Sequence, residues 1–159
     1  MRPEWTDFVG GKWEKEINVR DFIQKNYTPY DGDDSFLVGP TEKTRKMICG
    51  VLEILSQDED SIMTTYRDFY LQISFSELHP LMVFCLAKPI DVSKDDIASV
   101  SNKVNLTSVL GSHCVNEYYG CYHYRATHWL DTEIGQTRFL EILNRCVDEA
   151  SRGYQKVTC

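Results

Sequence analysis

Residues 70–86 of the chain read YLQISFSELHPLMVFCL and contain its clearest strand pattern. Residues 70–75 alternate apolar with polar side chains, and residues 81–86 form an apolar run that Pro80 precedes. Alternation predicts a half-buried strand, and a short apolar run bounded by proline predicts a buried strand. The connection between them is short, so we expect the two strands to pair as an antiparallel hairpin.

Further strands are predicted on both sides of this hairpin. Residues 63–66 are rich in threonine and tyrosine, which favour strands. A second hairpin is predicted from residues 113–118 and 121–129, which Tyr119 and Gly120 join.

Three segments have the spacing of amphipathic helices. The first is predicted to begin at Thr41, behind Pro40, after a turn at 31–34 and an apolar patch at 36–38. The second opens with a capping box at 93–96, and the third runs from about Asp131 to Tyr154. The inward positions of the last two helices are Ile97, Val100, Val104, Ile134, Phe139, Ile142, Leu143, Cys146, Val147 and Ala150. The order helix, three strands, helix, two strands, helix predicts an α+β two-layer sandwich, an antiparallel sheet with helices on one side.

Composition limits the possible functions. The chain has 159 residues, 42% of them hydrophobic, which suits one domain, or one of about 110 residues that carries a separate arm. The net charge is −7, which disfavours binding to nucleic acid or to anionic membranes. The sequence contains neither a leader pattern nor an apolar run of membrane-spanning length, so we expect a cytoplasmic protein.

The six cysteines are scattered without a CxxC pair, which indicates reduced thiols in a core. Two kinds of chemistry remain possible on the second hairpin. Cys114, Cys121 and His123 have side chains that zinc prefers, and Cys121 with His123 could form a nucleophile and its base. Strand alternation puts the cationic Arg125 on their face, which is unfavourable for a dication. Ordinary strand packing is therefore the favoured interpretation, without metal or cofactor.

Aromatic side chains are dense on the same hairpin. Tyrosine and tryptophan offer large amphipathic contact areas and are enriched at interface hot spots. Part of the set would pack against the helices, and the rest would form an exposed protein-binding face. The candidate residues on the hairpin are Tyr118, Tyr119, Tyr122, Tyr124 and Trp129.

Residues 14–46 read EKEINVRDFIQKNYTPYDGDDSFLVGPTEKTRK and resemble the amino terminus of pyruvate formate-lyase. Enzymes of that family are several times longer and need two adjacent cysteines and a radical glycine. No adjacent cysteines occur in this chain, and only the RGY at 152–154 is similar to the radical loop. We therefore expect residues 1–46 to be an arm with a short helix, in which Phe22 and Phe36 are candidate docking residues.

Residues 48–157 resemble the YbjN family. The resemblance lies in VNL at 104–106, LG at 110–111, GCYHYR at 120–125, Trp129 and the long final helix. It implies a fold like that of type III secretion chaperones and a sensory-transduction regulator without catalytic residues. The predicted domain is 47–159.

These patterns together predict a cytoplasmic bacterial protein-binding domain, homodimeric, that acts on a pyruvate formate-lyase or its activating enzyme through the arm. Three alternatives remain open. The chain could be a catalytically incomplete formate acetyltransferase, a zinc or cysteine enzyme that uses residues 113–128, or an artificial join of two segments.

Overall fold

The computed structural model describes residues 34–76, 79–91, 97–130 and 132–159, with side chains described from Thr41 onward. Phe22 and the helix predicted around it lie outside the described residues. Three helices and six strands follow one another along the described chain. They are α1 (Asp34–Val51), β1 (Ser56–Gln57), β2 (Ser61–Tyr66), β3 (Phe69–Phe75), β4 (Leu81–Pro89), α2 (Ile97–Asn105), β5 (Gly111–Asn116), β6 (Cys121–Trp129) and α3 (Gln136–Thr158).

The strands form one sheet in the order β1-β2-β3-β4-β6-β5, with every neighbouring pair antiparallel. Helix α3 packs on β4, β5 and β6, while α1 and α2 contact α3 beside it. One core cluster joins the helices to a single face of the sheet. Its fully buried members include Ile48, Ile62, Leu71, Phe84, Leu86, Tyr122, Tyr124, Phe139, Leu143 and Val147. The predicted α+β class, an antiparallel sheet with helices on one side, is confirmed.

Several predicted boundaries differ from the structure. Helix α1 begins at Asp34 and not at Thr41, so Pro40 lies inside it. A proline removes one helical hydrogen bond and can bend a helix without ending it. Helix α3 begins at Gln136 rather than Asp131, and Ile134 packs against the core from the preceding loop. The short edge strand β1 was missed because two residues give no periodic signal.

Helix α1 runs unbroken across Lys46, where the arm was predicted to end. Ile48 and Thr44 are both fully buried. Arg45 donates to the carbonyls of Asp58 and Glu59 in the turn before β2. The last turns before Lys46 therefore pack on the sheet domain, and the boundary between 46 and 47 stays a prediction.

None of the described helices combines the length and the apolar composition that a membrane-spanning helix needs.

Candidate functional site

The two faces of the sheet differ in what lies over them. Side chains alternate along each strand, and the face that carries Leu71, Phe84 and Tyr124 is covered by the three helices. No described element covers the opposite face, which we call the open face. By the strand register it consists of Ser56, Ser61, Met63, Thr65, Tyr70, Gln72, Ser74, Leu81, Val83, Cys85, Ala87, Pro89, Ser112, Cys114, Asn116, Cys121, His123, Arg125, Thr127 and Trp129.

The open face is poor in charge. Arg125 is the one side chain of this set that is ionised at neutral pH, and the set contains no carboxylate, although 26% of the chain's residues are charged. Desolvation, assisted by the Arg125 guanidinium, lowers the pKa of His123 to about 4, so this imidazole is neutral. A sheet face with so little charge is unusual for a surface that only meets water.

Aromatic side chains border the open face on two sides. Tyr70 and Tyr119 pack against a small second cluster made by Ala87 and Cys121. Tyr118, 75% exposed, lies edge-on to Tyr119 with ring centroids 4.9 Å apart. At the opposite end, Trp129 is 57% exposed. Tyr118 and Trp129 thus expose more than half of their surface at the two borders of the open face.

Tyr122 and Tyr124 do not belong to an exposed face, contrary to their inclusion among the candidate binding residues. Both are fully buried under the helices, because their strand positions alternate with Cys121 and His123. The Tyr122 hydroxyl donates to the Ala150 carbonyl at 2.9 Å. Of the two arm candidates, Phe22 lies outside the described residues. Phe36 lies within α1, where its side chain is not described.

A buried polar network connects Tyr124 to the loop between α2 and β5. Glu149 on α3 accepts the Tyr124 hydroxyl at 2.6 Å and the backbone N–H groups of Val109, Leu110 and Gly111. Burial opposes ionisation of Glu149, but these hydrogen bonds outweigh it and lower the pKa of the carboxyl. The network is structural, and it fixes the loop that precedes β5. Sequence reasoning missed it, because nothing local pairs a helix glutamate with a loop 38–40 residues away.

The similarity of the RGY at 152–154 to a radical loop has a packing explanation. Gly153 lies in the second half of α3, where a Cβ atom would overlap the His113 ring and come within 2.8 Å of the Tyr122 hydroxyl. The glycine lets the helix approach β5 and β6 closely. His113 in turn lies 2.6 Å from the Tyr122 hydroxyl through its Nδ1.

Burial keeps the Cys121 thiol and the His123 imidazole of the second hairpin uncharged at neutral pH. Desolvation raises the pKa of Cys121 to about 12, and the pKa of His123 is low, so no thiolate and imidazolium pair forms. Burial also raises the pKa of Cys85 to about 12. Among the described residues, no group of three or more His, Cys, Asp or Glu side chains is placed to hold a metal ion. These groups pack as neutral side chains of the open face.

Sequence comparison with curated proteins matches the amino-terminal part of the chain. About 49 residues there are 65% identical to formate acetyltransferase of Haemophilus influenzae, 59% identical to formate acetyltransferase 1 of Escherichia coli and 55% identical to its PFL-like enzyme TdcE. The match covers 31% of this chain and 6% of each enzyme. The resemblance to the pyruvate formate-lyase terminus is thereby confirmed. No family model matches the chain.

Structural comparison matches the sheet domain. YbjN from E. coli superposes with a TM-score of 0.56 at 9% identity, over 73% of this chain and 89% of that one. A chain of the HopA1–SchA chaperone–effector complex gives a TM-score of 0.50 at 11% identity, over 78% of this chain and 98% of that one. At these identities the likeness concerns the fold. The chain therefore combines an enzyme-like terminal segment with a chaperone-like α+β fold.

Proposed function

We propose that the chain is a non-catalytic protein-binding domain of chaperone-like fold, whose amino-terminal segment directs it to a pyruvate formate-lyase system. The observation that carries the proposal is the open face, which contains one charged residue, has no described element over it and is bordered by the exposed Tyr118 and Trp129. Exposed aromatic side chains beside a sheet face of low charge are typical of protein interaction sites, whose cores are depleted of charged residues.

The chemistry of the described residues supports a binding role over a catalytic one. The buried thiols of the open face have raised pKa values and the adjacent imidazole is neutral. The segment shared with formate acetyltransferase covers 6% of that enzyme and contains no cysteine pair. We infer that the shared segment serves recognition. It either mimics the enzyme terminus for a protein that binds the enzyme, such as its activating enzyme, or replaces that terminus in the assembled enzyme.

The remaining features of the proposal follow from the same surface. A charge-poor face offers a self-complementary contact, so we expect a homodimer in the absence of a partner. The net charge of −7 supports a protein partner rather than nucleic acid or a membrane surface. We expect the protein in the cytoplasm, where its six cysteines remain reduced.

The test measures binding of the full chain to three purified proteins. These are formate acetyltransferase 1 of Escherichia coli, the same enzyme without its matched terminal segment, and its activating enzyme. Preferential binding to the shortened enzyme supports replacement of the terminus, and binding to the activating enzyme supports mimicry. Binding to none of the three overturns the proposed system.

Two substitutions test the role of the open face in that assay. Trp129→Ser alters the open face, and Leu55→Ser is its control, because Leu55 is 61% exposed and lies outside that face. We expect Trp129→Ser to weaken the complex at least fivefold while Leu55→Ser leaves it unchanged. Equal effects of the two substitutions would contradict a role for the open face.

A further inference from the structure

Strand β6 extends beyond the start of β5, so the last part of its edge has no described strand beside it. The two strands pair from Cys121 with Asn116 to Ala126 with Gly111, but β6 continues to Trp129. Beyond Gly111 the chain turns away, because the N–H groups of Val109 and Leu110 are donated to the Glu149 carboxylate. The residues at the end of β6 therefore have a strand partner, β4, on one side only among the described elements.

The backbone direction at this edge follows from one hydrogen bond. The Leu130 N–H is donated to the Pro80 carbonyl, toward β4. Backbone groups of successive strand residues point to opposite sides, so those of His128 also face β4. The Thr127 carbonyl and the Trp129 N–H consequently face away from β4. They are a hydrogen-bond acceptor and a hydrogen-bond donor two residues apart. An extended chain that lies beside a strand forms backbone hydrogen bonds at this spacing.

A cleft of about 140 Å³ opens beside this edge, between β6 and the first half of α3. Its apolar lining includes Phe84, Leu110 and Ile142. Arg138 and Arg145 also line it, one helix turn on either side of Glu141. Two guanidinium groups share one carboxylate there, so the local charge is positive on a chain of net charge −7.

The loop beside the cleft is held firmly and nevertheless exposes apolar side chains. Leu106 and Val109 are each 86% exposed and Leu110 is 46% exposed. The loop is fixed by Glu149 and by Asn105, whose side chain bonds both the N–H and the carbonyl of His113. A fixed loop with three exposed aliphatic side chains loses little entropy when a partner covers it.

We propose that this edge, which we call the β6 slot (Leu110, Thr127, Trp129, Arg138, Ile142 and Arg145), binds an extended peptide segment of another protein. The segment pairs with the Thr127 carbonyl and the Trp129 N–H, as in strand addition to a sheet edge. Side chains two positions apart on a strand share a face, so an apolar residue enters the cleft while a carboxylate two positions away meets the arginines. Its recognition pattern is therefore apolar, any residue, acidic.

A second copy of this chain fits the slot less well than such a peptide. A two-fold contact would bring the arginines of one slot toward those of its partner, and like charges at an interface are repelled. The slot shares Thr127 and Trp129 with the open face, but it engages their backbone groups at the edge of β6, whereas their side chains belong to the open face. Peptide binding in the slot does not depend on the proposed role of the open face.

The first experiment defines the recognition pattern with a peptide array on the full chain. The peptides have the sequence Ser-Thr-X-Thr-Z-Thr-Ser, in which X and Z each take all twenty residues. We expect the strongest signals where X is Leu, Ile, Val or Phe and Z is Asp or Glu. Absence of any preference at X and Z would overturn the proposal.

The second experiment reverses the charge of the slot, with the best acidic peptide and its lysine counterpart as labelled probes in solution. We expect Arg145→Glu to weaken the acidic peptide at least tenfold and to strengthen the lysine peptide. Lys43→Glu is the control, since it changes the net charge equally at an exposed position on α1. Circular dichroism establishes that both variants are folded. Equal behaviour of the two variants would show that the net charge, and not the slot, governs binding.

Backbone pairing is tested with the same acidic peptide after N-methylation. Methylation of the amide that meets the Thr127 carbonyl removes a donor without changing the side chains. We expect at least a fivefold loss of affinity, whereas methylation of the next amide, which points away from the sheet, changes it less than twofold. Equal losses would exclude strand addition.

Discussion

Buried titratable groups differ in charge state between the covered face and the open face of the sheet. On the covered face, the buried Glu149 stays ionised because it accepts four donors, from Tyr124 and three backbone N–H groups. On the open face, the titratable groups His123, Cys85 and Cys121 are kept neutral by desolvation. On the covered face, one ionised carboxylate holds the loop before β5 in place. The open face has few charges, which is typical of the core of a protein interface.

The largest effect is expected from removing the charge on the covered face. Glu149→Ala leaves three buried backbone N–H groups and the Tyr124 hydroxyl without their acceptor. We expect the free energy of unfolding to fall by about 3–5 kcal/mol, measured by urea denaturation. Glu141→Ala on the exposed side of α3 is the matched control and should leave the denaturation midpoint unchanged. A small effect of Glu149→Ala would mean that the loop before β5 is not held by this carboxylate.

The open face should make stability depend on pH through His123. Its pKa is lowered from 6.5 to about 4, so the folded state binds fewer protons than the unfolded state between these values. Stability is therefore complete above pH 6.5, falls as the pH decreases toward 4 and levels off below that. The loss attributable to this residue is at most about 3 kcal/mol.

His123→Gln provides the comparison for that pH dependence, because glutamine does not titrate. Denaturation of both proteins at intervals from pH 7.5 to 4 should show the wild type losing more stability than the variant. Parallel curves would show that His123 is not the group responsible. His113 also has a pKa lowered by desolvation, and it titrates in both proteins.

Close packing on the covered face gives the next prediction. Gly153→Ala would place a Cβ atom against His113 and Tyr122, so we expect a loss of about 1–3 kcal/mol from overpacking. Gly50→Ala is the matched control, since nothing lies within 4 Å of a Cβ atom there. That substitution should stabilise α1 by up to about 1 kcal/mol. Thermal unfolding of the two variants distinguishes these opposite signs.

The sequence predicted the parts of the fold that depend on periodicity. The alternation in residues 70–75 and the helical spacing of Phe139, Leu143 and Val147 were sufficient for the sheet, the final helix and the α+β class. It could not separate Tyr122 from Tyr118 as a binding residue, because burial is decided by which face the helices cover. Nor could it reveal the hydrogen bonds of Glu149 to the loop before β5 or the β6 slot, since both depend on contacts between residues far apart in the chain.

The smallest effect on stability is expected at the border of the open face. Tyr118 is 75% exposed and contacts Tyr119 edge-on, so Tyr118→Ser should change the free energy of unfolding by less than about 1 kcal/mol. If the open face binds protein, the same substitution should nevertheless weaken binding to the enzyme or its activating enzyme severalfold, because exposed tyrosines contribute strongly at interfaces. Denaturation and binding are measured on the same preparation.

Tyr122→Phe is the matched variant with the opposite expected outcome. That variant loses the hydroxyl that bonds the Ala150 carbonyl and should lower stability without altering binding. If both variants instead reduced stability and binding in proportion, binding would merely follow folding. That result would refute the claim that the covered face stabilises the fold while the open face binds protein.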